Sequence, residues 1–432
     1  MRTLGSCARD VGRYMAGRTI PWSIGIATGL LLSLTAGTLA QTAASQNSFD
    51  RRWQSTVNAD VRYFSFSSSN GSPATSTVSG GRGTQLLTTV AGQIAGRVAE
   101  EVKVDLLLRT SYVDTKQTAN GVTGTFSGMN DTVFSGTVSY LGLAGIQPFI
   151  SLNVNIPTGT SNAAGNAQRA KSDSDVVQLP AFGEGWNFGP TVGANIPINE
   201  TTMAALGVGY TNRGVFLREG GTAGQTSRLN PGDVTTLNSS LGYRGERLSL
   251  KGSAAYALET VTKIDSLDFF QAGDRIVLTG AAGYAWTEFW SSRVQLTWVH
   301  ANKNKVILPG ISLLMVEAFN SNSDVTRIVV DTTYANELYS IGPVASYVYR
   351  DRNGYDSTTF QFLPAKSSWS AGVAGAYAVS QTAKVTGRAE RIWVKEGGSP
   401  EKIVDGVLVP DSAVPRALTD AWQFSIAAIV NF

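Results

Sequence analysis

The chain has 432 residues, with 35 Lys or Arg, 32 Asp or Glu, one cysteine and one histidine, and a formal net charge of +3. This near-neutral balance gives no reason to expect nucleic acid as a partner. A single cysteine excludes an intrachain disulfide, and one histidine with one cysteine cannot build a zinc site from those ligands.

The first 40 residues have the character of a secretory signal peptide. Four arginines precede an apolar stretch that ends at Ala40, and Thr38 and Ala40 provide small residues for cleavage. The alternative is a membrane anchor, because the apolar run approaches spanning length. Cleavage after Ala40 would remove Cys7 and leave 31 basic and 31 acidic residues, with 41–52 as an N-terminal periplasmic segment.

Beyond residue 52 the sequence repeats one pattern, in which apolar residues occupy every second position of segments about ten residues long. Leu106 and Leu108, for example, alternate with Asp105 and Arg109. A two-residue period is typical of a strand with one apolar and one polar face. The predicted strands, in chain order, cover residues 54–66, 84–96, 102–113, 131–141, 147–157, 185–197, 202–214, 234–243, 247–260, 274–286, 293–301, 325–335, 339–350, 368–379, 383–394 and 421–432.

The connections between these strands alternate between short and long. This rhythm predicts an all-β fold, an antiparallel transmembrane β-barrel over 53–432, with short periplasmic turns and long extracellular loops. Aromatic residues near the strand ends are typical of a lipid–water boundary. If the apolar segment 306–319 were a barrel strand, the short and long connections after it would exchange sides of the membrane. This segment is accordingly assigned to a loop. We therefore predict sixteen strands, with fourteen or eighteen as alternatives.

The last predicted strand, AWQFSIAAIVNF, ends on Phe432. It resembles the C-terminal strand of Gram-negative outer-membrane proteins of the porin-like class. The resemblance implies an outer-membrane location in a Gram-negative bacterium, amid lipid and lipopolysaccharide. It also implies that Phe432 is an assembly signal read by the barrel-assembly machinery.

A narrower resemblance covers about 80 residues in the first half of the chain. Residues 155–160, NIPTGT, end one strand, and residues 183–190, GEGWNFGP, open the next. This arrangement is similar to the MetA-pathway, phenol-degradation type, family of outer-membrane transporters. The resemblance implies passage of small, often hydrophobic or aromatic, compounds. The structural alternative is that Pro and Gly end the strands and Trp186 belongs to an aromatic girdle.

The polar face of the predicted strands carries charged residues that would line the lumen. The candidates for selectivity are Arg62, Lys103, Asp105, Arg109, Arg213, Lys251, Arg293, Arg327, Asp331, Arg388 and Glu390. Basic residues outnumber acidic ones in this set, which predicts a weak anion preference. The alternative is that these charges pair between neighbouring strands and hold the wall together.

Two long loops could fold inward and narrow such a barrel. The loop 157–184 is polar, whereas the loop 303–324 contains the apolar segment 306–319. Apolar residues in an exposed loop indicate a constriction, a hydrophobic access site or a partner surface. The candidates are Ile307, Leu308, Ile311, Leu313, Leu314 and Met315.

The sequence as a whole predicts a passive diffusion or uptake channel for small solutes, with no cofactor and no metal. The alternative is a closed structural or interaction barrel, such as an anchor, adhesin or export component. An enzyme is disfavoured, because His300 shares the parity of the apolar face and no activated serine accompanies it. A homo-oligomer is compatible with the fold, although no interface signal is present.

Overall fold

The computed structural model describes residues 53–69, 81–119, 121–172, 177–179, 181–219, 226–307, 313–356, 361–397, 402–404, 407–409 and 417–432. The predicted signal peptide, 1–40, and the predicted periplasmic segment, 41–52, lie outside these ranges. No helix within them is long and apolar enough to span a bilayer.

Sixteen long strands form the wall of a closed barrel. They are β1 (Trp53–Ser68), β2 (Gly81–Ala99), β3 (Val102–Ala119), β5 (Thr132–Tyr140), β6 (Gln147–Ile156), β7 (Asn187–Pro197), β8 (Thr202–Arg213), β11 (Val234–Arg244), β12 (Leu248–Glu259), β15 (Arg275–Ala285), β16 (Trp290–Ala301), β19 (Val325–Ala335), β20 (Tyr339–Arg350), β21 (Lys366–Ala378), β22 (Ala383–Glu396) and β25 (Ala417–Asn431).

Each of these strands pairs antiparallel with its neighbours in the chain, and β25 closes the ring by pairing with β1. Closure leaves no free sheet edge in the wall, which satisfies the backbone groups that lipid cannot. The barrel confirms the predicted porin-like fold, the strand number and the approximate position of every predicted strand. The assignment of 306–319 to a connection is also confirmed.

The described connections contain nine shorter strands and one helical turn. The strands are β4 (Val122–Met129), β9 (Phe216–Glu219), β10 (Thr226–Asn230), β13 (Thr262–Ile264), β14 (Leu267–Gln271), β17 (Lys305–Ile307), β18 (Leu314–Val316), β23 (Lys402–Val404) and β24 (Val407–Val409), and the helix is α1 (Asn166–Arg169). Apart from β4, which extends the wall beside β3, they form a six-stranded sheet and a separate two-stranded one. All lie at the end of the barrel with the long connections, which we call the long-loop end. The opposite end is the short-turn end.

The outer surface of the barrel is apolar around its circumference. Leu86, Ile150, Leu206, Val294 and Ile426, on five separate strands, each expose more than a third of their surface. A continuous exposed apolar band of this extent is the surface that a bilayer covers.

Exposed aromatic side chains border this band at both ends. At the short-turn end they include Tyr140, Tyr243, Tyr284, Trp286, Phe289, Trp290, Tyr339 and Tyr377, and at the long-loop end Tyr112, Trp186, Phe188, Tyr210, Trp369, Trp393 and Trp422. Amphipathic rings favour the interface between lipid and water. The two girdles therefore mark the edges of the membrane-spanning part.

Candidate functional site

The strand register defines which side chains face the lumen. Residues that lie directly opposite each other on paired strands point to the same side of the sheet. Successive pairs such as Arg62↔Leu87 and Leu87↔Val113 therefore trace the inward face from strand to strand around the wall. All eleven charged residues proposed as lumen candidates, from Arg62 to Glu390, lie on this inward face. Their role in selectivity stays a prediction.

Many of the inward charges form ion pairs. The pairs are Arg62–Asp60 (2.9 Å), Lys103–Asp105 (3.0 Å), Arg213–Glu259 (3.1 Å), Arg293–Asp331 (2.9 Å), Arg350–Glu396 (3.3 Å) and Arg388–Glu390 (2.6 Å). Some join residues two apart on one strand and others join different strands. The inner wall is therefore a polar surface that is partly neutralised by its own carboxylates.

One long connection folds into the barrel. We call residues 157–186 the inward loop, of which 157–172, 177–179 and 181–186 are described. Val177 is buried against Phe64, Phe66, Val394 and Ala421, all of them inward residues of the wall. A loop residue can reach these side chains only from inside the barrel, so this connection narrows the lumen.

A second buried apolar cluster joins the first and last parts of the inward loop to the wall. Phe182 and Ala170 are buried with Leu87 and Val113 of the wall. The ring of Phe182 stacks on Phe126 of β4, with ring centroids 4.0 Å apart. Stacked rings of this kind add to the stabilisation from burial.

Polar wall residues bind the backbone of the inward loop. Gln85 donates from Nε2 to the carbonyl of Leu179 (2.9 Å) and accepts from the Leu179 amide at Oε1 (3.1 Å). Ser172 donates to Gln117 Oε1 (2.9 Å), and Arg62 donates to Gln178 Oε1 (2.7 Å). These bonds satisfy loop groups that burial would otherwise leave unpaired.

Asp131 joins the two ends of the inward loop. This buried residue precedes β5, and its carboxylate accepts from the Gly159 amide (2.9 Å) and the Glu184 amide (2.7 Å). It also accepts from Asn155 Nδ2 (2.8 Å), which in turn donates to the carbonyl of Gly185 (2.9 Å). Hydrogen bonds to a carboxylate are stronger than neutral ones. Asp131 therefore clamps the place where the loop leaves the wall, which we call the neck.

The neck brings its two limbs so close that glycine is required. A Cβ on Gly159 would lie 2.1 Å from the carbonyl oxygen of Phe182, and one on Gly183 would lie 2.7 Å from the Thr160 nitrogen. The Thr160 amide donates to the same Phe182 carbonyl (3.0 Å). The two segments that carry the transporter-family resemblance, 155–160 and 183–190, thus meet in space at the neck. Trp186, at its edge, is exposed.

Glu184 adds a titratable group to the neck. Burial raises the pKa of its carboxyl, and the negative charge of Asp131 acts in the same direction, whereas Arg213 and Asn187 oppose the rise. Asn187 Nδ2 lies 3.3 Å from Glu184 Oε2. The neck therefore holds two carboxyl groups in one enclosed place.

The loop 303–324 is placed differently. Its strands β17 and β18 complete the six-stranded sheet, which three successive connections build above one side of the wall. Leu313 and Met315 are exposed, Ile307 and Leu314 are half-buried, and Leu308 and Ile311 lie outside the described residues. The described part also contacts the connection between β20 and β21, where Tyr355 donates to Glu317 Oε2 (3.3 Å) and its ring packs on Phe319. A hydrophobic access site at this loop stays a prediction.

Two further predicted residues lie at the edges of the apolar band. His300 faces outward, with Nδ1 2.7 Å from Asp324 Oδ1 and its ring stacked on Trp298. Phe432 exposes its ring at the short-turn end while its backbone pairs with Ser55. Its role as an assembly signal stays a prediction.

Sequence reasoning did not identify Asp131, Gln85 or Gln117. Each shares the inward parity of its strand, but their partners on the inward loop lie between 28 and 94 residues away in sequence. Parity could have placed these side chains in the lumen. Nothing local indicates what they bind.

No protein-family model and no curated protein matches the chain. Among solved structures it is similar to an outer-membrane channel from Pseudomonas putida F1 (13% identity, 64% of this chain and 95% of that one, TM-score 0.38). It is also similar to a FadL homologue from Pseudomonas aeruginosa (10%, 88% and 91%, TM-score 0.40). A third similar structure is a mutant of TodX, a monoaromatic hydrocarbon channel (11%, 88% and 90%, TM-score 0.37).

Proposed function

We propose that the protein is an outer-membrane channel through which small solutes diffuse passively. The observation that carries the proposal is the inward loop, which enters a sixteen-stranded barrel and is bonded to one part of the wall. Barrels of this size are wide enough for an aqueous channel. A loop held against one side narrows such a channel and sets the size of the solute.

The polar inner face supports the same proposal. Charged side chains recur on the inward face of the strands, from Lys103 and Arg293 toward one end to Arg213 and Glu259 toward the other. Charged groups are costly to bury without water. Their spread along the wall favours a water-filled path.

The solutes we propose are small organic compounds, including the hydrophobic or aromatic ones that the family resemblance implies. They would enter from the long-loop end, pass the inward loop and leave at the short-turn end. The proposed location is the outer membrane of a Gram-negative bacterium, reached after removal of the signal peptide and insertion by the barrel-assembly machinery. No catalytic step is proposed.

Single-channel recording of the refolded mature protein in a planar bilayer tests this function. We expect steady conductance steps in symmetric potassium chloride. A correctly folded barrel, identified by its shifted mobility on unheated gels, that produced no steps would contradict the proposal. That outcome would favour the alternative of a closed anchor or export component.

A further inference from the structure

Four arginines form a row around half of the inner wall. We call Arg62, Arg109, Arg327 and Arg388 the arginine arc. Arg62 and Arg388 are both register partners of Ser425, so they flank one residue of β25. Arg109 lies within electrostatic range of Arg62, and Arg327 within range of Arg388. The arc thus runs from β3 through β1 and β22 to β19.

Among the described residues, two carboxylates bind members of the arc. Asp60 binds Arg62 through a fork of bonds between 2.9 and 3.1 Å, and Glu390 accepts from Arg388 Nε at 2.6 Å. Arg109 and Arg327 have no hydrogen bond or ion pair with any described residue. Arg327 Nε is buried and has no hydrogen-bond partner there. Counted over the described part of the chain, the arc and its bound carboxylates therefore carry two more positive than negative charges.

The ion pairs of the arc present their positive members to the lumen. The side chains of Arg62 and Arg388 are each 35% exposed, whereas those of Asp60 and Glu390 are 13% and 4% exposed. Glu390 is further enclosed by Ser370, which donates to it at 3.1 Å. A passing solute would contact guanidinium groups rather than carboxylates.

The inward loop lies directly beside this surface. Its residue Gln178 contacts Arg62, and Val177 packs on Phe64, two residues further along the same inward row. The constriction and the arc thus occupy neighbouring levels of the lumen. Guanidinium groups match the planar, two-oxygen geometry of a carboxylate.

We propose that the arginine arc makes this channel selective for small organic carboxylates over cations and neutral molecules of the same size. This inference rests on the proposed channel function and specifies the solute class that the channel favours. Arg109 and Arg327 are the residues that carry the preference, because no described carboxylate is hydrogen-bonded or ion-paired with them, although Glu390 lies within electrostatic range of Arg327.

Reversal potentials in a potassium chloride gradient test the charge preference. We expect chloride to be favoured, and R109Q and R327Q each to lower the anion-to-cation permeability ratio about twofold, which is the combined effect on anion and cation of one charge at roughly 8 Å in water screened by about 0.1 M salt. The double variant should lower it about fourfold. K384Q removes an inward charge from the same strand as Arg388 but outside the arc, and should have a smaller effect.

Benzoate and benzylammonium, which are similar in size and opposite in charge, test the solute class. Benzoate should permeate faster, and the double variant should lose this difference. R109K and R327K keep the charge and should keep the preference, which provides a folded comparison if the glutamine variants assemble poorly. A cation-selective wild type, or a double variant with unchanged selectivity, overturns the inference while the channel stands. A silent wild type overturns the channel function itself.

Discussion

The inward loop and the six-stranded sheet both start from the long-loop end of the barrel. The loop folds into the lumen, whereas the sheet stands above one side of the wall. The sheet is built from hairpins of three neighbouring connections, whose backbones pair with one another as in the register Phe270↔Val306. The inward loop binds the wall through side chains, such as Gln85 to Leu179. The three connections of the sheet satisfy their backbone groups by pairing above the wall, whereas the inward loop satisfies its own inside the barrel.

The difference shows what directs a loop into a lumen. Where two paired wall strands continue past the end of the barrel, their connection forms a hairpin that extends along the line of the wall. In the inward loop, Asp131 and the close approach of Gly159 to Phe182 form a neck instead. Beyond the neck the chain meets buried apolar side chains of the inner wall, such as Leu87 and Phe64. The neck and the apolar patches together direct it inward.

Replacing residues 161–181 with a short Gly-Ser linker should have the largest effect. Because the constriction would be removed, we expect single-channel conductance to increase roughly twofold. The matched control replaces 306–319, in the sheet, with a linker of the same kind and should leave conductance nearly unchanged. Larger steps only in the second deletion would reverse the assignment of the two loops.

Asp131→Ala should open the neck without removing the loop. Two backbone amides and the Asn155 amide lose their acceptor, which we expect to cost about 3 kcal/mol of neck stability. Hydrogen exchange at the Thr160 amide should accelerate, and the open channel should become noisier. Asp131→Asn keeps one acceptor oxygen and should fall between the variant and the wild type. Unchanged exchange in Asp131→Ala would show that the neck does not depend on this carboxylate.

Gly159→Ala should weaken the same neck by steric contact. The new methyl group would meet the Phe182 carbonyl, and we expect a cost of about 2 kcal/mol. Gly92→Ala is the control, because its Cβ meets nothing within 4 Å. Protease cleavage within the inward loop should increase in the first variant only. Equal cleavage in both would argue against a close neck in solution.

The smallest effect should come from Glu184→Gln, and it should depend on pH. Because burial raises the pKa of Glu184, the closed neck binds the proton more tightly than the open one. Neck stability should therefore fall as pH rises from the ordinary glutamate range through the raised pKa, and then level off. The Gln variant should lack this dependence and exchange more slowly at Thr160 at neutral pH. A parallel pH profile in both proteins would refute the assignment.

The strands, their two faces and the ring closure could be predicted from sequence, because a period of two and the pairing of consecutive hairpins are local properties. The inward position of Arg109 and Arg327 follows from the same parity. Which loop enters the lumen was decided by tertiary contacts, since Asp131 binds amides 28 and 53 residues away. The burial of Asp60 and Glu390 beside their arginines likewise depends on geometry. The spacing of two residues places each pair on one face of its strand, but it contains no information on which groups the fold encloses.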